Sequence, residues 1–206
     1  MVHSNVYLFV FDTMSDWEAS FATSAINNPR FQKQPGRYRV VTVGLTGEPV
    51  TTMGGLRILP DVALSEIEPD HAAMLILPGG ETWESCSNIE AIDLARVFFV
   101  EGVPIAAICG ATFALARAGV LDDFHHTSNS RDYLVASGYR GGKFYCDVPA
   151  VRDEGVITAS GVAPLEFARE IFKALDLYSP SVIDAWYALF KFGNASRYHE
   201  LVECVA

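Results

Sequence analysis

The sequence predicts an α/β protein built on a mostly parallel sheet with helices on both faces. Three observations predict it. Short β-type runs alternate with helical periods along the chain. Several of those runs are almost continuously apolar, as strands buried on both faces must be. No linker, repeat or low-complexity stretch divides the 206 residues, so one domain spanning 1–206 is expected.

The elements follow in order. Residues Asn5–Phe11 (NVYLFVF) read as a buried strand. A helix is expected from Asp16 to Ile26, with Trp17, Phe21 and Ile26 inward and Asp16 as its cap or first residue. Residues Arg39–Val43 form a second strand. Val50–Met53 and Leu56–Leu59 flank Gly54-Gly55, a spacing that predicts a small hairpin insertion. Ala73–Leu77 is a buried strand ending in Pro78-Gly79-Gly80. A helix covers Ile89 to Val100, a strand Pro104–Ile108, and a further helix Ala111 to Ala118, with Gly119 at its C-terminus. A short helix is expected over Ser128 to Val135, and strands over Phe144–Val151 and Gly155–Ala159. Pro164 opens a helix reaching Leu175, and Ser179 to Phe192 reads as the last.

Composition narrows the function. Half the residues are apolar, 19% are charged, and the formal net charge is −10. The fifteen basic residues are scattered. Nucleic acid and anionic membranes reward clustered Lys and Arg, so neither is an expected partner. No apolar stretch approaches the roughly 18 residues of a membrane span, and the N-terminus lacks a cationic leader. A cytoplasmic location is therefore expected. The cysteines Cys86, Cys109, Cys146 and Cys204 form no C-x-x-C pair and match no zinc spacing. Neither a metal nor another cofactor is expected, and three of the four thiols are read as structural.

Cys109 stands apart. In IAAICGATFALARAG it sits where a buried strand stops and a helix begins, among the small residues Ala106, Ala107, Gly110 and Ala111. Such a corner projects its central side chain outward. The helix N-terminus brings free N–H groups and partial positive charge, which predicts a lowered thiol pKa. The Gly110 amide can meet an oxyanion formed when the sulfur attacks a carbonyl, with a second donor from the Pro78-Gly79-Gly80 turn.

These segments together resemble the ThiJ/PfpI superfamily, which shares a flavodoxin-like three-layer fold with the class I glutamine amidotransferases. The matching stretches are FDTMSDWEASF, LPGGETW, AAICGATFALARAGVLDD, HHTSNS and ITASGVAPLEFAREI, in family order over nearly the whole chain. The resemblance implies Cys109 as nucleophile, and Glu18 as a protonated carboxyl hydrogen-bonded to its thiolate. It implies Gly80 and Gly110 as oxyanion donors and a homodimeric assembly. Two departures matter. Gly110 stands where the family's proteases carry a histidine directly after the cysteine, and SGVAPLEF lacks the late histidine of the glutaminases. A base would come from His125 or His126, the latter preferred. Asn129 is a candidate substrate contact, Trp83 a possible wall of the crevice, and Glu166 a first-turn helix residue. The expected function is a cysteine-dependent enzyme on a small carbonyl, amide or nitrile-like substrate, closer to a glyoxalase or hydratase than a protease. The alternatives are an oxidative-stress sensor acting through Cys109 and a non-catalytic ligand-binding module.

Overall fold

A computed structural model describes residues 4–203. Its centre is a seven-stranded sheet in the order β5-β2-β1-β6-β7-β9-β8. The strands are β1 (Ser4–Phe9), β2 (Tyr38–Gly44), β5 (Val62–Ala63), β6 (Ala72–Leu77), β7 (Ile105–Ile108), β8 (Ala150–Asp153) and β9 (Val156–Ala159). All neighbours run parallel except β8, which pairs antiparallel with β9. This is the mostly parallel sheet that the apolar runs predict, in the flavodoxin-like form that the resemblance implies. The central strands β6 and β7 are buried over Met74–Leu77 and Ile105–Ile108 because helices cover both sides.

The helices α1 (Ser20–Asn27) and α5 (Pro164–Ala174) pack together on one face, with α6 (Pro180–Phe192) and α7 (Ser196–Glu203) outside them. The other face carries α2 (Ile89–Val100), α3 (Gly110–Arg117) and the short α4 (Arg131–Val135). The side chains of Phe9, Met74, Ile76, Ile105, Phe167 and Phe172 are fully buried between the layers. Glu166 joins α5 to α6. Burial alone would raise its carboxyl pKa, but the Lys191 ammonium at 2.8 Å and the Tyr187 hydroxyl at 2.5 Å outweigh burial and hold it low.

Several elements differ from the sequence reading. The helix expected from Asp16 begins at Ser20. Asp16 is not a cap. Its carboxylate accepts from the Thr52 hydroxyl at 2.5 Å and from the Gly54 N–H at 2.7 Å, both in the hairpin. The strand expected over Phe144–Val151 begins only at Ala150 and runs on to Asp153. Tyr145 makes only an isolated bridge to His126, after a single turn of 3-10 helix at Gly142–Phe144. The edge strand β5 and the helix α7 are additional. Each is too short or too polar to show a period, and α7 buries only Leu201.

The Gly54-Gly55 hairpin forms as expected, between β3 (Val50–Thr51) and β4 (Arg57–Ile58). Two-residue strands cannot hold themselves together. The loop after β1 supplies the missing bonds. Asp12 accepts from Thr51 N–H at 2.7 Å, the Thr13 N–H reaches Thr51 O at 2.9 Å, and the Met53 N–H reaches Met14 O at 2.9 Å.

In this strand order the direction of winding reverses between β1 and β6, since β2 lies on one side of β1 and β6 on the other. Ligand crevices of open α/β sheets lie beyond the carboxyl ends of strands at such a point. The ends of β1, β6 and β7 lead into the loop at Phe11, the Gly79-Gly80 turn and Cys109.

Candidate active site at Cys109

Cys109 is the hinge between β7 and α3. Its backbone has φ +58° and ψ −125°, a conformation that L residues rarely hold. Its N–H is tied to Ala159 O at 3.0 Å, and its carbonyl accepts from the Thr112 hydroxyl at 2.6 Å. Thr112 is held in turn by Ser128, also at 2.6 Å. The surroundings thus fix the strained turn and aim the thiol into a half-open cavity.

Glu18 arrives from the turn preceding α1 and is 1% exposed. Its Oε2 accepts the Gly79 N–H at 2.5 Å. Its Oε1 is buried without a hydrogen-bond partner among the described residues. That oxygen faces the thiol: a Cβ on Gly161 would stand 2.8 Å from Cys109 Sγ and 3.1 Å from Glu18 Oε1. A Cβ on Gly79 would stand 2.6 Å from both Cys109 Cβ and Glu18 Oε2. Glycine is required at both positions because the backbone closes directly on the Cys–Glu pair.

Asn129 completes the arrangement. Its Nδ2 donates to Cys109 Sγ at 3.3 Å, and its Oδ1 accepts from Gly161 N–H at 2.9 Å. The Gly161 carbonyl accepts from Trp17 Nε1 at 3.2 Å. The two glycine amides expected as oxyanion donors differ in their surroundings. The Gly110 N–H points toward the sulfur, and the Gly80 N–H makes no hydrogen bond within the described residues. The Gly79 amide is spent on Glu18.

The electrostatics correct one expectation. The Cys109 thiol pKa is raised rather than lowered. Burial raises it most and the charge of Glu18 adds to this, while Asn129 and the Gly110 amide pull against them. Burial likewise raises the Glu18 carboxyl, against the Gly79 N–H. Two acids this close cannot readily both ionise, so they titrate as a coupled pair.

The structure does not bring His126 to this pair. It is fully buried. Its Nδ1 meets Phe124 O at 2.7 Å, its Nε2 meets Tyr139 Oη at 3.1 Å, and its ring packs edge-on against Tyr139 and Tyr145. Burial lowers its pKa, which keeps the ring neutral. His125 is exposed and hydrogen-bonded to Asp153 at 2.9 Å. His126→Ala is expected to cost about 2–4 kcal/mol in urea unfolding. Alkylation of Cys109 in the folded variant should stay within about twofold of wild type. A tenfold loss there would return His126 to the chemistry.

The other candidates fall as follows. Trp83 is core, donating to Pro78 O at 2.8 Å and packing on Phe9 and Phe11. Trp17, expected inward, is 48% exposed at the rim of the cavity. Cys86 is exposed, Cys146 is half-buried, and Cys204 lies outside the described residues. Among the described residues no group of three or more His, Cys, Asp or Glu could hold a metal ion. Ser15, Met53, Gly161 and Val162 also line the cavity and were not singled out from sequence. Ser15 lies inside the FDTMSDWEASF match and Gly161 and Val162 inside ITASGVAPLEFAREI, whereas Met53 lies in no matched stretch.

Comparison with known proteins places this geometry. A sequence profile described as the DJ-1/PfpI family matches residues 4–174. The chain belongs to the DJ-1/PfpI family. It is 43% identical over 203 residues to YoaZ of Bacillus subtilis (strain 168), an uncharacterized protease by name, with 97% of each chain covered. A thiJ/pfpI family crystal structure from Bacillus anthracis superposes with a TM-score of 0.93 at 41% identity, covering 99% of this chain and 98% of that one. The glutathione-independent glyoxalase DJR-1.2 of Caenorhabditis elegans is 30% identical over 146 residues, 68% of this chain and 75% of its own. DJ-1/PfpI relatives thus carry protease and glyoxalase names around one fold. No helix among the described residues is long and apolar enough to cross a membrane.

Proposed function

We propose that the protein is a cysteine-dependent enzyme that adds Cys109 Sγ to the carbonyl carbon of a small substrate. One observation carries the reading: the buried Glu18 Oε1 has no hydrogen-bond partner among the described residues and faces the thiol, where it can carry the proton the thiol gives up. In the productive arrangement the proton is on Glu18 and the charge on sulfur. The S–C bond forms, the carbonyl π pair moves to oxygen, and the Gly80 and Gly110 N–H groups meet the developing charge. Glu18 then gives its proton to that oxygen. The products are a neutral hemithioacetal and a Glu18 carboxylate, so the site keeps one negative charge throughout.

That carboxylate is the base the site otherwise lacks. With an α-oxoaldehyde it can take the hydrogen from the thiohemiacetal carbon as a proton. Returning that proton to the neighbouring carbon gives a thioester. Water then releases a 2-hydroxy acid and regenerates the thiol. The net change is addition of one water, with no external oxidant. This supports a glyoxalase-like reaction over proteolysis, for which neither histidine reaches the sulfur. The expected assembly is a homodimer, as in most of the family.

Methylglyoxal supplied without glutathione is the test. Its consumption should yield an equimolar 2-hydroxy acid, lactate. The reading fails if no carbonyl compound is consumed while dilute peroxide adds two oxygens at Cys109, which is the signature of a thiol sensor.

A further inference from the structure

We propose that the Cys109 cavity selects neutral carbonyl compounds with an apolar substituent and rejects carboxylates, and that the β3–β4 hairpin supplies part of the substituent subsite through Met53. The proposal rests on Cys109 as the attacking group and adds the substrate class.

The lining carries the argument. The cavity has a volume of about 570 Å³, and its lining includes the apolar residues Trp17, Met53, Val162 and Pro164. Single exposed apolar residues are ordinary on a protein surface. Here Trp17 is 48% exposed, Met53 45% and Val162 89%, and all three border the cavity that holds the thiol. The Trp17 ring is anchored through Nε1 to Gly161 O, so the indole is oriented while about half of its surface stays open. A flat or branched apolar group on the substrate would cover these surfaces and gain what they lose to water.

Charge argues the same way. Among the described residues no Lys, Arg or His lines the cavity. Cys109 and Glu18 are both acids, so any charge the pair carries is negative, and the chain as a whole carries a formal −10. A carboxylate on the substrate would meet that charge with no cation to pair with.

The hairpin is held by charge as well as backbone. Asp16 grips Thr52 and Gly54 on either side of Met53, directly before Trp17 and Glu18. A Cβ on Gly54 would stand 2.8 Å from Asp16 Oδ2. The same carboxylate therefore fixes Met53 relative to the two residues on its own loop.

Alkylation of the full chain tests the subsite without requiring turnover. Iodoacetate, iodoacetamide and N-benzyl iodoacetamide are compared, with the rate at Cys109 read by peptide mass mapping and divided by the rate with 2-mercaptoethanol. The benzyl reagent should be favoured over iodoacetamide by about fivefold, and iodoacetate disfavoured by about tenfold. Met53→Ala should remove most of the benzyl preference. Val162→Lys should raise the iodoacetate rate by about threefold or more. In turnover, kcat/KM should fall from phenylglyoxal through methylglyoxal to glyoxylate. Equal normalised rates for the three reagents, or a benzyl preference untouched by Met53→Ala, would overturn the proposal. Turnover without preference would overturn it while leaving the enzyme reading intact. The expected alkylation order with no turnover of any carbonyl would support the subsite and overturn the enzyme reading instead.

Discussion

Cys109→Ser is expected to keep the fold and lose at least about 10³ in kcat/KM toward any carbonyl substrate. The hydroxyl fits the space of the thiol, and the β7–α3 turn depends on backbone bonds to Ala159 and Thr112 that the substitution leaves alone. What is lost is an acid that can ionise. A serine hydroxyl cannot share the Glu18 proton, and no neutral base lies beside it to take its own. Near-wild-type turnover in this variant would sink the mechanism. A companion measurement tests the turn itself. With φ +58° at position 109, Cys109→Gly should be more stable than Cys109→Ala. Relief of about 1–3 kcal/mol of backbone strain is partly offset by about 0.5–1 kcal/mol of glycine's extra freedom in the unfolded chain. Equal denaturation midpoints for the two variants would mean that the turn stores no strain.

That turn was legible in the sequence because its signal is local: four apolar residues, a cysteine, and small neighbours on both sides. The same holds for β1 and β6, whose continuous apolar runs admit no other reading. The errors arise where one stretch answers to a distant one. Asp16 has the right chemistry for a helix cap, but the hairpin claims both its oxygens from 36 and 38 residues away. Tyr145 to Pro149 carries apolar residues because Tyr145 packs on the His126 ring, not because a strand passes there. Met53 reads as one residue of a hairpin; nothing in its own neighbourhood says that the hairpin turns toward the cysteine. The direction of the Cys109 pKa failed for the same reason. The helix N-terminus that favours a thiolate is visible locally, whereas the burial and the Glu18 charge that oppose it come from the folded chain.

Glu18→Gln is the substitution that separates these opposing influences. Glutamine keeps the shape, can still accept the Gly79 N–H and can donate to sulfur, but it carries no proton to give. A loss of about 10²–10⁴ in kcat/KM is expected if Glu18 is the acid that captures the oxyanion. The pH dependence of iodoacetamide labelling at Cys109 is the sharper readout. If the pair shares its proton as proposed, the first proton lost leaves a charge divided between carboxylate and thiolate. Labelling should therefore rise to a partial plateau above the ordinary carboxyl range and rise again when the second proton leaves. In Glu18→Gln one titration should remain. Stability follows with a definite sign. The Glu18 pKa is raised in the folded state, so its contribution is fully present below the unfolded value of 4.5. That contribution is lost as pH climbs through the folded value. The thermal midpoint of Glu18→Gln should therefore gain on wild type between pH 5 and pH 8. A single labelling titration in wild type, together with parallel midpoints across that range, would show that Glu18 and Cys109 ionise independently and that the carboxyl does not manage the thiol proton.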